Sequence, residues 1–199
     1  MTLIERVKNI LVTPKTEWEV INEETATPIS LLTAYVLPLA IVASIGTVLK
    51  YFIFAGGFTY GLNFVIRTAL VGFVAAILSF YLTAIIVDML APSFGSEKDL
   101  NKSAQLIAYS GTPSYIGGLL SFIPIIGWLV SLVAWAYGIY LMYLGIGTMK
   151  KTPEDKKIIY MIVAFVIMMA IYFIIAAILG VILLGILGGT AGLGNSMLR

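Results

Sequence analysis

Charged positions divide this chain into a short polar opening and a series of long apolar runs. Leu31 to Phe54 is the first run, with Lys50 as its one charge. The second extends from about Phe64 to Leu90, and its uncharged centre, Thr68 to Val87, is bracketed by Arg67 and Asp88. Ser103 to Met149 then holds 47 residues without a charge. That is about twice the ~20 apolar residues one membrane-spanning helix needs. Phe122-Ile123-Pro124 divides this run, because proline suits the first turn of a helix and breaks its interior. A hairpin is predicted, with spans at Ser103–Phe122 and Pro124–Met149. Ile158 to Leu187 is the fifth run, at 30 residues long enough to tilt or overhang the interface. The pattern predicts an all-α polytopic membrane bundle over residues 29–190, with five spans at about 31–54, 64–90, 103–122, 124–149 and 158–187. Residues 191–199 form a tail.

The third span is the least regular, carrying Gln105, Ser110, Thr112, Ser114 and Ser121. Tyr109, Gly111 and Pro113 mark a candidate helix break or cavity. Pro113 lacks an N–H and clashes with the preceding turn, so it should interrupt the helix within about one turn. A continuous span and a broken or re-entrant helix both remain open, since polar backbone is tolerated at membrane depth where protein surrounds it.

In residues 1–28, Leu3, Ile4, Val7, Ile10 and Leu11 share one helical face, while Glu5, Arg6, Lys8 and Asn9 take the other. Thr13-Pro14 and Thr27-Pro28 read as N-cap and first helical residue, the former opening a second helix from Lys15 to about Glu24. The segment has acids and no long apolar run, so it does not read as a cleaved leader. It predicts two amphipathic interfacial helices, with Trp18 as membrane anchor, or a cytoplasmic docking surface.

Composition agrees: 60% of the 199 residues are hydrophobic and 11% charged, against about 45–50% and about 25% in soluble domains. This excludes a soluble enzyme and a nucleic-acid binder. With no Cys and no His, thiolate chemistry and the commonest metal ligand and general base are missing. No catalytic or metal-binding constellation and no cofactor is expected.

Lys and Arg placement sets orientation. With the amino terminus cytoplasmic, Arg6, Lys8, Lys15, Lys98, Lys102, Lys150, Lys151, Lys156 and Lys157 fall inside and Lys50, Arg67 and Arg199 outside. The carboxyl terminus is then external. The acids also fall on the inside or at its edge, so the inner face is near neutral and not a polybasic lipid sensor. Arg67 and Asp88 read as interface anchors at opposite ends of one span, or Asp88 pairs with Lys150 or Lys151 and pins neighbouring helix ends. Thr152-Pro153-Glu154-Asp155 predicts an N-cap, a first helical residue and two acids opening the fifth helix. Small residues spaced by four (Ser110, Ser114 and Gly118; Ala134 and Gly138; Ala176 and Gly180) suit close helix packing. Trp128 fits the outer interface, and Trp135, deeper, is expected to pack within the bundle.

Leu3-Ile-Glu-Arg-Val-Lys-Asn-Ile-Leu11 followed by Thr13-Pro-Lys-Thr-Glu-Trp18 resembles the opening of bacterial Yip-domain proteins. Phe94-Gly95, Ala108-Tyr109-Ser110 with Pro113, and Tyr140-Leu-Met-Tyr143-Leu-Gly145 followed by Met149-Lys-Lys-Thr-Pro-Glu-Asp-Lys156 extend the resemblance along the chain. It implies a five-span protein with a cytoplasmic amino terminus, non-enzymatic and of undefined role, in the inner membrane. Eukaryotic relatives bind prenylated Rab-type GTPases, but this chain lacks their long polar opening, so that partner is not carried over. The expected role is a membrane scaffold or adaptor. Its candidate partner surface is Asp88, Lys102, Lys150, Lys151, Pro153, Glu154, Asp155 and Lys156. Expected partners are the lipid bilayer, a cytoplasmic or membrane protein, and a second copy of the chain. The alternative is a small transporter, channel subunit or lipid-handling protein built on the broken third span.

Overall fold

The computed structural model describes residues 1–53 and 62–196. Phe54, the expected end of the first span, and Arg199 lie outside them. Among the described residues the chain is all helix, without a strand. Two short helices, α1 (Leu3–Val12) and α2 (Pro14–Glu23), precede the long helix α3 (Pro28–Ile53). The chain continues as α4 (Leu62–Leu90), α5 (Leu100–Ser110), α6 (Thr112–Leu120), α7 (Ile126–Lys150) and α8 (Glu154–Ser196). Four stretches are long and apolar enough to cross a membrane: Pro28–Ile53, Phe64–Phe94, Ile126–Lys150 and Glu154–Ile182.

Local chemistry explains the breaks. In α1, Thr2 and Glu5 form a reciprocal capping box: each side chain accepts from the other residue's backbone N–H. Thr27 and Ser30 do the same at the start of α3, whereas Thr13, at the start of α2, makes no capping bond. A wide π turn over Leu32–Val36 interrupts α3. Leu37 closes the turn with a bond to the Leu32 carbonyl, and Pro38 after it cannot donate to the carbonyl four residues back, which explains the altered winding. The third apolar run comprises two helices, α5 and α6, separated by Gly111, with Pro113 in the first turn of α6. Each is too short to span alone. At the α6–α7 turn, Ile125 has φ 63°. A β-branched residue is strained there, so α7 begins at Ile126 rather than at Pro124.

The α5–α6 pair forms the bundle's central column. Seven of the eleven α5 residues are buried, covered by α3, α4 and α7 and touched by α2 through Trp18 and Ile21. Helix α6 wedges between α3 and α7. A Cβ at Gly46 would meet the Leu119 Cα at 2.7 Å, so only glycine allows this approach. Gly118 faces Ala43 and Gly138 faces the Ser110 carbonyl, as small-residue packing requires, but Gly180 opens onto empty space. Outward-facing side chains of the spans are large and apolar, among them Leu70, Val133, Phe173 and Val181. That suits lipid rather than water. Helices α1 and α2, the α4–α5 loop and the α7–α8 corner gather at one end, here called the charged end.

Candidate functional site

At the charged end α4 runs out in a 3-10 turn, Ala91–Phe94, and α7 ends at Lys150, where Lys151 takes a left-handed conformation. The suggested pinning pair is present: Lys150 Nζ stands 2.9 Å from Asp88 Oδ1. Lys150 is 0% exposed and Asp88 6%. A buried pair persists only when hydrogen bonds offset the lost hydration. Ser103 Oγ donates to the same carboxylate oxygen at 3.1 Å, and Lys150 Nζ also donates to the Asp99 carbonyl at 3.0 Å. The Glu97 N–H donates to the Lys150 carbonyl at 2.9 Å. Tyr160 on α8 stacks on Phe94, ring centroids 4.8 Å apart, and its hydroxyl donates to the Val87 carbonyl. Helices α4, α5, α7 and α8 are thus joined at one corner.

This corrects the expected surface. Lys150 and Asp88 are buried base, not exposed rim, because each needs the other inside protein. Lys102 reaches across to donate to the Asn22 and Glu24 carbonyls at the end of α2, where a cation complements the helix dipole. Thr152 is not an N-cap. Its hydroxyl donates to the Ile146 carbonyl and accepts from Ser96, while the Pro153 carbonyl accepts the first bonds of α8 from Lys156 and Lys157. Lys151, Pro153, Glu154, Asp155 and Lys156 do remain exposed, beside Glu97 and Lys98. The Lys151–Glu97 pair at 2.8 Å is solvent-facing and holds the loops together by at most about 1 kcal/mol.

A second cluster, absent from the sequence reading, fastens α1 and α2 to the bundle. Arg6 is 5% exposed and pairs with Glu17 and Glu24, its guanidinium carbon 5.4 Å from the Tyr109 ring centroid. Arg6 lies three residues after Leu3 and four before Ile10, spacing that joins it to the packed face rather than the polar one. Ile4 instead turns outward, 79% exposed. Trp18 is 1% exposed and meets Tyr109 edge-on. A Cβ at Gly145 would lie 2.7 Å from the Trp18 ring, so the indole rests on bare α7 backbone. Trp18 is therefore packed in protein, not anchored among lipid headgroups. Gln105 Nε2 donates to the Ile21 and Glu24 carbonyls, whereas Trp18 Nε1 and Gln105 Oε1 are buried without a partner among the described residues. Glu5, outside the spans, has its pKa lowered by the bonds from Thr2 that favour its charged form.

Between α1 and the start of α3 lies a groove of about 230 Å³. Arg6, Glu24, Tyr35 and Tyr109 line it together with Leu31 and Ala34. The Tyr35 hydroxyl is bonded to Thr112 at 2.7 Å. The groove thus reaches Tyr109 of the candidate set, while Gly111 and Pro113 do not line it. Trp128 is 68% exposed at the end opposite the charges, and Arg67 is partly exposed near the start of α4. Trp135 is 48% exposed and touches Phe165 edge-on, so it lies on the outer face of the bundle and not within it. Among the described residues no group of three or more His, Cys, Asp or Glu could hold a metal ion.

The family model described as the Yip1 domain matches residues 8–176, from α1 into α8. No curated protein and no solved structure matches the chain.

Proposed function

Because the chain belongs to the Yip1 domain family of membrane proteins, we propose that it is a non-enzymatic scaffold or adaptor of the bacterial inner membrane, binding a partner protein through its charged end. The observation that carries this reading is the gathering of exposed charges on two loops, Glu97–Lys98 and Lys151–Lys156, over the buried Asp88–Lys150 base. A rigid base holds such a rim in one geometry, which lowers the ordering cost of binding. Opposite charges interspersed along the rim favour a partner of matching pattern over a uniformly charged surface.

In this reading α5 and α6 together make the third of five crossings. They hold 20 helical residues, about 30 Å at 1.5 Å per residue, the thickness of the hydrocarbon core. An odd number of crossings puts the two termini on opposite sides, and positive-inside sorting turns the charged end, and with it the amino terminus, toward the cytoplasm. The transporter alternative needed a cavity at Pro113, and the groove stops short of it. Photo-crosslinking in living cells tests the proposal. A crosslinking residue at Lys98 or Lys156 should give a discrete protein adduct, and one at lipid-facing Val133 should not. Equal patterns at all three positions would refute it.

A further inference from the structure

The groove between α1 and α3 has chemistry that the scaffold reading does not use. It carries one fixed cation, Arg6, and one carboxylate, Glu24. Arg6 spends only part of its hydrogen-bonding capacity on Glu24 and Glu17, and Glu24 only part of its own on Arg6. A guanidinium has five N–H donors and a carboxylate two acceptor oxygens. Two Arg6 N–H groups are engaged, and the Glu24 Oε2 atom accepts nothing among the described residues. Independently, Tyr109 lines the groove, and its hydroxyl, which keeps contact with solvent there, has no hydrogen-bond partner among the described residues. An accessible hydroxyl with no partner in the chain is free to bond a polar group that enters the groove.

Position and lining narrow the ligand. Ala34 lies six residues into α3, about 9 Å along the helix. The Pro28–Ile53 stretch of 26 residues is about 39 Å long against a hydrocarbon core of about 30 Å. The groove therefore sits where headgroups meet acyl chains. Leu31 and Ala34 give it an apolar wall, and its volume of about 230 Å³ leaves room for a small polar headgroup. We propose that this groove binds the head of a zwitterionic aminophospholipid. Arg6 and the Tyr109 hydroxyl donate to its phosphate, Glu24 accepts from its ammonium, and the acyl chains leave along Leu31 and Ala34. An anionic lipid without an ammonium would set its phosphate beside two carboxylates, Glu17 and Glu24, that share the single cation Arg6, with no second cation to offset them.

The test is native mass spectrometry of the full chain in detergent micelles carrying equal amounts of phosphatidylethanolamine and phosphatidylglycerol with identical acyl chains. Phosphatidylethanolamine should be retained in clear excess. Glu24→Gln and Tyr109→Phe should each cut its retention, the former about tenfold or more, because it removes a charge-assisted bond. Ala34→Trp, at an exposed position that touches none of the ion pairs, should fill the groove and abolish the excess. Circular dichroism checks folding. Should Glu24→Gln fail to fold, Tyr109→Phe and Ala34→Trp decide. Equal retention of the two lipids, or an excess unchanged in the folded variants, would overturn the site. Displacement of the lipid by millimolar soluble phosphoethanolamine would overturn the lipid as its occupant; no displacement is expected.

Discussion

Replacing Lys150 by Met removes one half of a pair that contains no other cation. Lys150 is fully buried and its nitrogen is 2.9 Å from Asp88. The variant leaves a carboxylate at 6% exposure with Ser103 as its remaining donor, and leaves the Asp99 carbonyl without its bond from Lys150. Breaking a buried pair from one side costs about 3–5 kcal/mol, far more than losing a surface pair. At about 2–4 °C per kcal/mol for a chain of this size, the unfolding midpoint should fall on the order of 10 °C. Asp88→Asn should cost a similar amount by stranding the ammonium. The double variant should recover much of the loss, because no uncompensated charge remains. Thermal melts of the four proteins in one mild detergent form a double-mutant cycle. Single losses below about 1 kcal/mol, or a double variant as unstable as the sum of the singles, would refute the buried base.

Arg6→Met should release α1 and α2, since it leaves Glu17 buried and unpaired, at about 3–5 kcal/mol; faster trypsin cleavage at Lys15 reports the release. Gly145→Ala should drive a Cβ into the Trp18 ring at 2.7 Å and cost about 1–3 kcal/mol, with a shift in indole fluorescence. The Glu5 cap contributes stability above the carboxylate's unfolded pKa, because its folded pKa is lowered. That contribution is lost as pH falls through the folded value, and the protection factors of the amides in the first turn of α1, taken against the intrinsic exchange rate at each pH, should fall below the ordinary carboxylate range. Charge reversal of Lys151 and Lys156, both exposed, should leave folding intact and remove the protein adducts seen from Lys98; persistent adducts would locate the partner elsewhere.

The sequence made the long helices legible because lipid imposes one rule over some twenty residues. Asp88 and Lys150 were legible for a related reason: charges at the ends of neighbouring spans have few other groups to meet. The Arg6 cluster was hidden because helical spacing shows which face is apolar but not what covers it. Trp18 reads equally well as lipid anchor or core residue until Gly145 is placed beneath it. Thr152 matched a capping pattern, yet Ser96, 56 residues away, claims its hydroxyl. The missed groove had one faint sequence signal, an arginine three residues after Leu3 and four before Ile10, at the border of the apolar face.

The central claim is that the charged end faces the cytoplasm on a five-crossing bundle. The chain has no cysteine, so single replacements Lys98→Cys, Lys156→Cys and Ile125→Cys can be labelled with a membrane-impermeant thiol reagent in intact and permeabilised cells. Ile125 is 79% exposed at the opposite end. Labelling of Ile125→Cys in intact cells, and of Lys98→Cys and Lys156→Cys only after permeabilisation, is the predicted result. Labelling of either lysine position in intact cells, or of Ile125→Cys on the same side as both, would contradict the account.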